Sequence, residues 1–285
     1  MWPLDPPPFS ARGSWEACTS LSRDTTANKN LGTRLRAAAD TAEKAAEAFR
    51  AAAQSRTLHN LKAKNFKIDD ICDKQVAETV YKNGMTRNSP GRAIYDALMD
   101  APEDELCPLC RHSDVTELDH VLPKSTYPAL CVAPENLVPV CGFCNSTKND
   151  RAPENAEDVL LHPYFEDTGT ANWLDATLAT SALDAGRLTY FVSPPADWDS
   201  TLTARVRRQF TFLELGRRYS VKANQHLRGI HHHLVEQLRS GRKAAVRAHL
   251  TDMATSHLVA DPNSWTGVAY RTWAANDDFC EGRFW

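Results

Sequence analysis

Two Cys-x-x-Cys pairs mark the part of the chain whose residue types and spacing are best suited to chemistry. The first pair is Cys107 and Cys110, in the sequence CPLC, and the second is Cys141 and Cys144, in CGFC. Each short turn presents two thiolates to one ion, so the two turns together complete a tetrahedral four-cysteine site. We therefore predict a closed, structural zinc site that joins the two ends of the segment between the pairs.

The segment around and between these pairs contains a second group of polar residues. Asp119 and His120 are adjacent, Asn136 lies in the sequence ENLVPV, and Asn145 directly follows the last cysteine. Asp119 and Asn145 offer oxygen ligands, which suit a hard divalent cation such as magnesium. A neutral His120 could take a proton from water. Asn136 would hold the loop, or His120 itself, through a hydrogen bond.

Together these residues predict hydrolysis of a phosphodiester bond. The cation would neutralise charge on the scissile phosphate, and His120 would activate the attacking water. Lys124 and Lys148 lie where they could contact phosphate oxygens, although simple solvation is the ordinary role of a single lysine. Adjacent side chains of a strand face opposite sides, so Asp119 and His120 serve one site only if the chain bends there.

The sequence pattern CPLC, LDHVLPK, NLVPVCGFCNSTK resembles the HNH endonuclease family in its zinc-stapled, four-cysteine form. The resemblance covers residues 107–148 and extends weakly to the HPYF sequence at 162–165. It implies the ββα-metal nuclease fold and metal-dependent cleavage of nucleic acid, with DNA as the expected substrate. The same arrangement resembles bacterial HNH proteins that accompany ATPases in anti-phage defence, which implies an ATPase as a candidate partner.

The resemblance also implies a role for each matching residue. His120 matches the general base, and Asp119 and Asn145 match the ligands of the catalytic cation. Asn136 matches the middle asparagine of the HNN variant, and Lys148 matches a lysine often found after the last metal-ligand position. A second function, which is not enzymatic, stays open. In it the protein is a zinc-stapled module that binds nucleic acid or protein, and Asp119-His120 is merely structural.

Composition and charge limit the class of protein. The chain has 285 residues, 42% hydrophobic and 24% charged, which is typical of soluble globular proteins with a real core. The N-terminal sequence MWPLDPPPFSARGSW lacks the basic start and apolar stretch of a signal peptide, so we expect a cytoplasmic protein with no membrane segment. In that reducing compartment, paired cysteines are more often metal ligands than disulfides.

The charge is unevenly distributed along the chain. The net charge is −3, yet the segment 205–247 carries eleven Lys or Arg residues and two acids. Such a segment can form a phosphate-binding face or a partner interface, and it can equally be a solvated helical surface.

The apolar pattern predicts a mostly helical α+β fold that mounts the small nuclease core. We expect an irregular arm over 1–30, a helical region over 31–100, the core over 101–165, and a β-hairpin plus helical region over 166–285. Within these, the pattern predicts helices over 31–52, 69–82 and 89–101, strands over 173–180 and 187–193 joined at 184–186, and helices over 200–258. Residues 261–285 show no clear period.

Overall fold

The computed structural model divides the chain into two units, Met1–Asp167 and Thr168–Trp285. It describes residues 2–26, 29–87, 89–168, 171–179 and 186–285, leaving out the side chain of Ser89. The fold is α+β and mostly helical, as predicted, and each unit contains a two-stranded antiparallel sheet. Among the described residues, every helix is too short or too polar to cross a lipid bilayer.

The first unit consists of helices packed around one small sheet. In chain order its elements are α1 (Ala11–Thr19), α2 (Leu31–Ala37), α3 (Ala39–Gln54), α4 (Asp73–Val76), which continues as a π-helix over Ala77–Met85, α5 (Ser89–Met99), β1 (Glu117–His120), β2 (Leu137–Val140) and α6 (Gly142–Lys148). The predicted helix over 31–52 is therefore present but interrupted at Ala38, where ψ is 5°.

The N-terminal segment differs from the predicted irregular arm. Helix α1 lies within it and begins after Ser10, whose hydroxyl oxygen accepts a hydrogen bond from the amide of Gly13. Trp15 anchors this helix, because its ring is fully buried and its Nε1 donates to the carbonyl of Leu35 at 2.7 Å. Only Ala11, Trp15 and Cys18 are buried apolar residues on this nine-residue helix. So short an apolar pattern is too weak to predict a helix from the sequence.

Alanines make the central helix a close-packing element. Ala42, Ala45, Ala46 and Phe49 of α3 are buried in the core of the first unit. Small side chains let the backbones of neighbouring helices approach closely, although each buries little apolar area. The alanine face of α3 is thus covered from within the first unit.

Two glycines set how α1, the π-helix and α5 meet. A Cβ atom on Gly84 would lie 2.1 Å from the carbonyl oxygen of Cys18, and one on Gly91 would lie 2.1 Å from the carbonyl oxygen of Gly84. Backbone therefore contacts backbone at both positions, and a side chain at either would force the helices apart. These contacts fix the π-helix between its two neighbours.

The sheet of the first unit pairs β1 with β2 in antiparallel register. Glu117 lies opposite Val140, Asp119 opposite Val138, and His120 opposite Leu137. The second strand leads directly through Cys141 into α6. Strand, strand and helix thus follow one another closely, and they bring residues 117–120 next to residues 142–148.

The second unit combines a hairpin with long helices. Its elements are β3 (Leu174–Leu178), β4 (Leu188–Val192), α7 (Ser200–Phe212), α8 (Leu215–Ala260), α9 (Trp265–Ala275) and α10 (Asp277–Cys280). Of the predicted hairpin turn, residues 184 and 185 lie outside the described residues. The breaks expected near Gly216 and Gly241 fall at Glu214 and Arg242, whose φ angles are 52° and 58°.

The C-terminal residues 261–285 hold helices that the sequence pattern did not predict. Tyr270, Trp273 and Phe279 are buried, and the rings of Trp273 and Phe279 stack at 5.5 Å. These large aromatic side chains fill the core of the second unit without the regular spacing of an amphipathic helix. The buried Trp273 is therefore a packing residue.

Candidate metal centre and adjoining cleft

The four predicted zinc ligands lie together. Cys107, Cys110, Cys141 and Cys144 are buried, and their sulfur atoms all lie within 4.8 Å of one another. Zinc–sulfur bonds of about 2.3 Å in a tetrahedron place the sulfurs about 3.8 Å apart. The Sγ atoms of Cys110 and Cys141 are 3.8 Å apart. The cluster could therefore hold one zinc ion in the closed geometry of a structural site.

The backbone of each pair is shaped for this purpose. The amide of Arg111 donates to the carbonyl of Cys107 at 2.7 Å, and Arg111 has a φ of 49°, which turns the chain back after the first pair. The amide of Asn145 donates to the carbonyl of Cys141 at 3.1 Å, which begins α6 within the second pair. Local hydrogen bonding thus aims all four thiols at one point.

A cleft of about 230 Å³ lies beside the sheet and α6. Residues from three places line it: β1 and the residues after it, the beginning of α6, and the residues that follow α6. The lining residues are Glu117, Leu118, Asp119, His120, Lys124, Gly142, Asn145, Ser146, Asn149 and Asp150. The cleft therefore brings together four of the predicted site residues.

His120 is held in one tautomer. Its Nε2 lies 2.9 Å from the carbonyl oxygen of Cys131. A carbonyl oxygen only accepts, so Nε2 carries the proton and donates it. In a neutral ring the lone pair is then on Nδ1. Burial lowers the pKa of His120 to about 3, with the charge of Lys124 acting in the same direction. The imidazole is therefore neutral at physiological pH, with Nδ1 able to accept a proton.

Asp119 is paired with Lys148. The ammonium of Lys148 donates to Oδ1 of Asp119 at 3.1 Å and to the backbone carbonyl of His120 at 2.5 Å. Burial raises the pKa of Asp119 to about 6, and the Lys148 charge opposes that rise. Lys148 itself is only 8% exposed. Lys148 thus holds Asp119 and the end of β1, and its predicted phosphate contact stays a prediction.

Glu117 is a cleft residue that sequence reasoning missed. It lies two positions before Asp119 on β1, so both side chains belong to the same face of the strand. Its carboxylate accepts a hydrogen bond from Nδ2 of Asn145. Because a carboxylate only accepts, the amide nitrogen of Asn145 must face Glu117, and the Asn145 oxygen is left for another partner. The alternation of strand residues was the signal that could have identified Glu117.

Gly142 makes room for this carboxylate at the start of α6. A Cβ atom on Gly142 would lie 3.2 Å from Oε1 of Glu117. The carboxylates of Glu117 and Asp119 and the amide oxygen of Asn145 form an all-oxygen donor set at the cleft, which is the set that magnesium or calcium prefers. These three residues could therefore hold a divalent cation.

Asn136 fixes the loop between the strands rather than His120. Its Oδ1 accepts from the amide of Leu122 at 2.8 Å, and its Nδ2 donates to the carbonyls of Leu122 and Leu130 at 3.0 and 3.2 Å. The side chain is fully buried. Leu130 precedes Cys131, the residue whose carbonyl accepts from His120, so Asn136 acts on His120 through the backbone. Of the two roles left open by the sequence, the structure places it in the loop.

Replacing Asn136 is expected to destabilise the first unit. Asn136→Ala leaves one buried amide and two buried carbonyls without their side-chain partner, which costs about 2 to 4 kcal/mol. Urea unfolding of the zinc-loaded protein measures this loss. Asn65→Ala, at an exposed asparagine, is the control and is expected to change stability by less than about 0.5 kcal/mol. Equal stability of the two variants would contradict the assigned role.

Lys124 is half-buried and reaches the cleft from the loop after β1. Its ammonium lies 5.2 Å from the centre of the Tyr81 ring. A cation over an aromatic face is attracted by the ring. Because Lys124 is among the lining residues of the cleft, its charge could attract an anionic ligand there.

The HPYF segment is a structural support. Nε2 of His162 donates to the carbonyl of Glu135 at 3.0 Å, and Nδ1 accepts from the amide of Tyr164 at 3.3 Å. The hydroxyl of Tyr164 donates to the carbonyl of Leu137 at 2.9 Å. Both nitrogens of His162 are engaged, so this histidine holds the segment against the residues around β2.

Much of the basic charge in segment 205–247 is neutralised or buried. Ion pairs join Arg217 to Glu214, Arg239 to Glu236, Lys243 to Glu281 and Arg247 to Asp277. Arg205 and Arg218 are 1% and 9% exposed. Six of the eleven basic side chains therefore serve the fold of the second unit, which weakens the argument for a phosphate-binding face there.

Comparison with known proteins adds one relative. No family model matches the sequence, and no solved structure matches it. Protein ea31 of Escherichia phage lambda is 27% identical over 220 residues, which span 72% of this chain and 73% of that protein. The chain is thus an α+β protein with a four-cysteine cluster that could bind zinc, and it is similar to Protein ea31 over most of the length of both.

Proposed function

We propose that the protein is a metal-dependent endonuclease of the HNH type, with DNA as its expected substrate. The observation that carries the proposal is the shared cleft. There a neutral histidine with a free Nδ1, an all-oxygen donor set and a lysine lie beside a four-cysteine cluster. Within this proposal, β1, β2 and α6 form the ββα-metal core, and the cysteine cluster holds it together as a zinc site.

His120 acts as the general base. With Nε2–H bound to the carbonyl of Cys131, Nδ1 takes a proton from a water molecule as that water attacks phosphorus. Burial favours the neutral ring, so Nδ1 carries no proton before substrate binds. Asn136 holds the loop that carries Cys131 and so maintains the tautomer.

Glu117, Asp119 and Asn145 would hold the catalytic divalent cation. When bound, that cation neutralises charge on the scissile phosphate and stabilises the leaving oxygen. Lys148 holds Oδ1 of Asp119 and so orients this carboxylate for the ion. Lys124 supplies positive charge toward the phosphate backbone.

Binding and cleavage must be measured separately to test this proposal. Zinc-loaded protein is incubated with supercoiled plasmid, single-stranded DNA and RNA, first without added divalent cation to measure binding and then in Mg²⁺ to measure cleavage. We expect cleavage in Mg²⁺ with at least one substrate. Cleavage of RNA alone would support the proposed reaction and show that the substrate is RNA rather than DNA.

The competing function is a zinc-stapled module that binds nucleic acid or protein without cutting it. The burial of His120 and the ion pair between Asp119 and Lys148 favour it, because satisfied buried polar groups are often structural. Binding without added divalent cation, together with no cleavage in any divalent metal, would favour this function over the endonuclease.

A partner gating the activity also belongs to the proposal. Nuclease effectors that act with an ATPase are expected to cleave faster when that partner and ATP are present. Cleavage by the purified chain, measured with and without proteins encoded beside its gene, tests this gating. Equal cleavage rates with and without these proteins would show that no such partner gates the nuclease.

Glu117→Gln is expected to weaken the binding of the catalytic cation. The change removes one negative ligand charge and keeps the shape of the side chain, so affinity for Mn²⁺ should fall about 10-fold or more. Calorimetric titration of the zinc-loaded protein measures this without substrate. Glu47→Gln, at an exposed position on α3, should bind Mn²⁺ as the wild type does. Unchanged affinity in Glu117→Gln would remove Glu117 from the ligand set.

A further inference from the structure

We propose that Tyr81 is a positioning residue for His120 and Lys124, and that the π-helix over Ala77–Met85 is the element that presents its ring to them. The proposal rests on the hydrolytic role given to His120. It adds a residue from outside the segment 107–148, which contains the four-cysteine cluster, β1, β2 and α6.

The imidazole of His120 needs a second contact to be fixed. The hydrogen bond from Nε2 to the carbonyl of Cys131 fixes one atom of the buried ring, and its orientation depends on what packs against it. The Tyr81 ring lies 4.5 Å from the imidazole, centre to centre, with an angle of 70° between the planes. Edge-to-face contact of this kind favours one relative orientation of two rings. Hydrogen bond and ring together therefore set the direction of Nδ1.

The same ring contacts the cleft lysine. The Lys124 ammonium is 5.2 Å from the ring centre of Tyr81. The attraction of a cation to an aromatic face limits the positions that this long side chain takes. One aromatic ring thus orders two residues that line the cleft, the proposed base and the proposed phosphate contact.

The backbone that carries Tyr81 is unusual. The amide of Thr86 donates to the carbonyl of Tyr81 at 3.0 Å, a bond between residues five apart. Short π-helical turns inside helices are rare and occur frequently at functional sites. The contact of Gly84 with the carbonyl of Cys18 holds this turn in place. Because a π-helix turns less per residue than an α-helix, it directs Tyr81 differently from a regular helix.

The aromatic ring of Tyr81, rather than its hydroxyl, is the part that positions His120 and Lys124. Burial raises the pKa of Tyr81 well above its usual value, so the phenol stays protonated. The contacts to His120 and Lys124 are both measured to the ring. Phenylalanine at this position is therefore expected to position His120 and Lys124 as tyrosine does, whereas leucine is not.

Kinetics and histidine NMR together test the proposal on the zinc-loaded full chain. Tyr81→Leu is expected to lower kcat for plasmid cleavage about 10- to 100-fold, the loss typical of a displaced catalytic group. Tyr81→Phe should stay within about 3-fold of the wild type, since the ring is retained. Phe191→Leu, at an exposed aromatic residue of β4 in the second unit, is the control and should leave kcat unchanged.

The NMR measurement does not depend on activity. Nitrogen-15 spectra of the His120 ring, assigned by comparison with His120→Gln, should show the Nε2–H tautomer alone in the wild type and in Tyr81→Phe. In Tyr81→Leu the imidazole can turn away from the carbonyl of Cys131, so a mixture of both tautomers should appear. If no protein cleaves any substrate while this mixture appears, the proposed function fails and the positioning role stands.

Three outcomes would overturn the proposal. They are a wild-type kcat in Tyr81→Leu, a single His120 tautomer in Tyr81→Leu, and a loss in Tyr81→Phe as large as that in Tyr81→Leu. Zinc content and circular dichroism check that the variants fold. Should the leucine variant fail to fold, Tyr81→Met supplies a flexible side chain in its place and is subject to the same outcomes.

Discussion

His120→Ala is expected to lower the rate of phosphodiester cleavage by about 10²- to 10⁴-fold, the usual contribution of a general base. The imidazole Nδ1 is the cleft nitrogen that can accept a proton, because Nε2 is engaged with the carbonyl of Cys131. Single-turnover cleavage of plasmid in Mg²⁺, with zinc content matched between proteins, measures the loss.

Two further variants separate chemistry from folding. His120→Gln fills more of the space that alanine would leave, yet its amide does not take up a proton, so it should be as inactive as His120→Ala. His232→Ala removes an exposed histidine of the second unit and should retain the wild-type rate. Activity in His120→Gln close to that of the wild type would show that the ring has a packing role only.

Loss of zinc is expected to have the largest effect on stability. We expect one zinc ion per chain, and Cys141→Ser should release it and unfold the first unit. Structural zinc contributes about 10 to 16 kcal/mol in zinc-finger peptides, which is as large as the whole stability of an ordinary domain. The strands β1 and β2 are four residues each, too short to hold the cleft together without this staple.

Elemental analysis and thermal unfolding measure this effect. Cys72→Ser is the matched control, because Cys72 is an exposed cysteine outside the cluster. That variant should keep one zinc ion per chain and the wild-type unfolding temperature. The structural assignment would be contradicted if elemental analysis found no zinc in the wild-type protein. It would also be contradicted if Cys141→Ser kept both its zinc and its stability.

The sequence allowed prediction of those features that local patterns encode. The four-cysteine cluster followed from the spacing of Cys107, Cys110, Cys141 and Cys144, because each Cys-x-x-Cys turn constrains its own geometry. The hairpin followed from alternating apolar residues, and β3 and β4 lie within the predicted strands. The α+β, mostly helical class followed from the same periodicities.

Features that depend on contacts between distant residues could not be predicted in this way. The ion pair of Lys148 with Asp119 joins residues 29 positions apart, so no local pattern indicates it. The contact of Tyr81 with His120 depends on a π-helix that no local pattern indicates. Helix α1 was missed because a single tryptophan supplies most of its anchoring.

The rate of conversion of supercoiled to nicked plasmid by the zinc-loaded wild-type protein, measured against Mg²⁺ concentration, tests the central claim most directly. We expect nicking that rises with Mg²⁺, is absent when no Mg²⁺ is added, and is reduced at least about 100-fold in His120→Ala. Nicking that does not depend on Mg²⁺, or that is equal in wild type and His120→Ala, would contradict a metal-dependent endonuclease at this cleft.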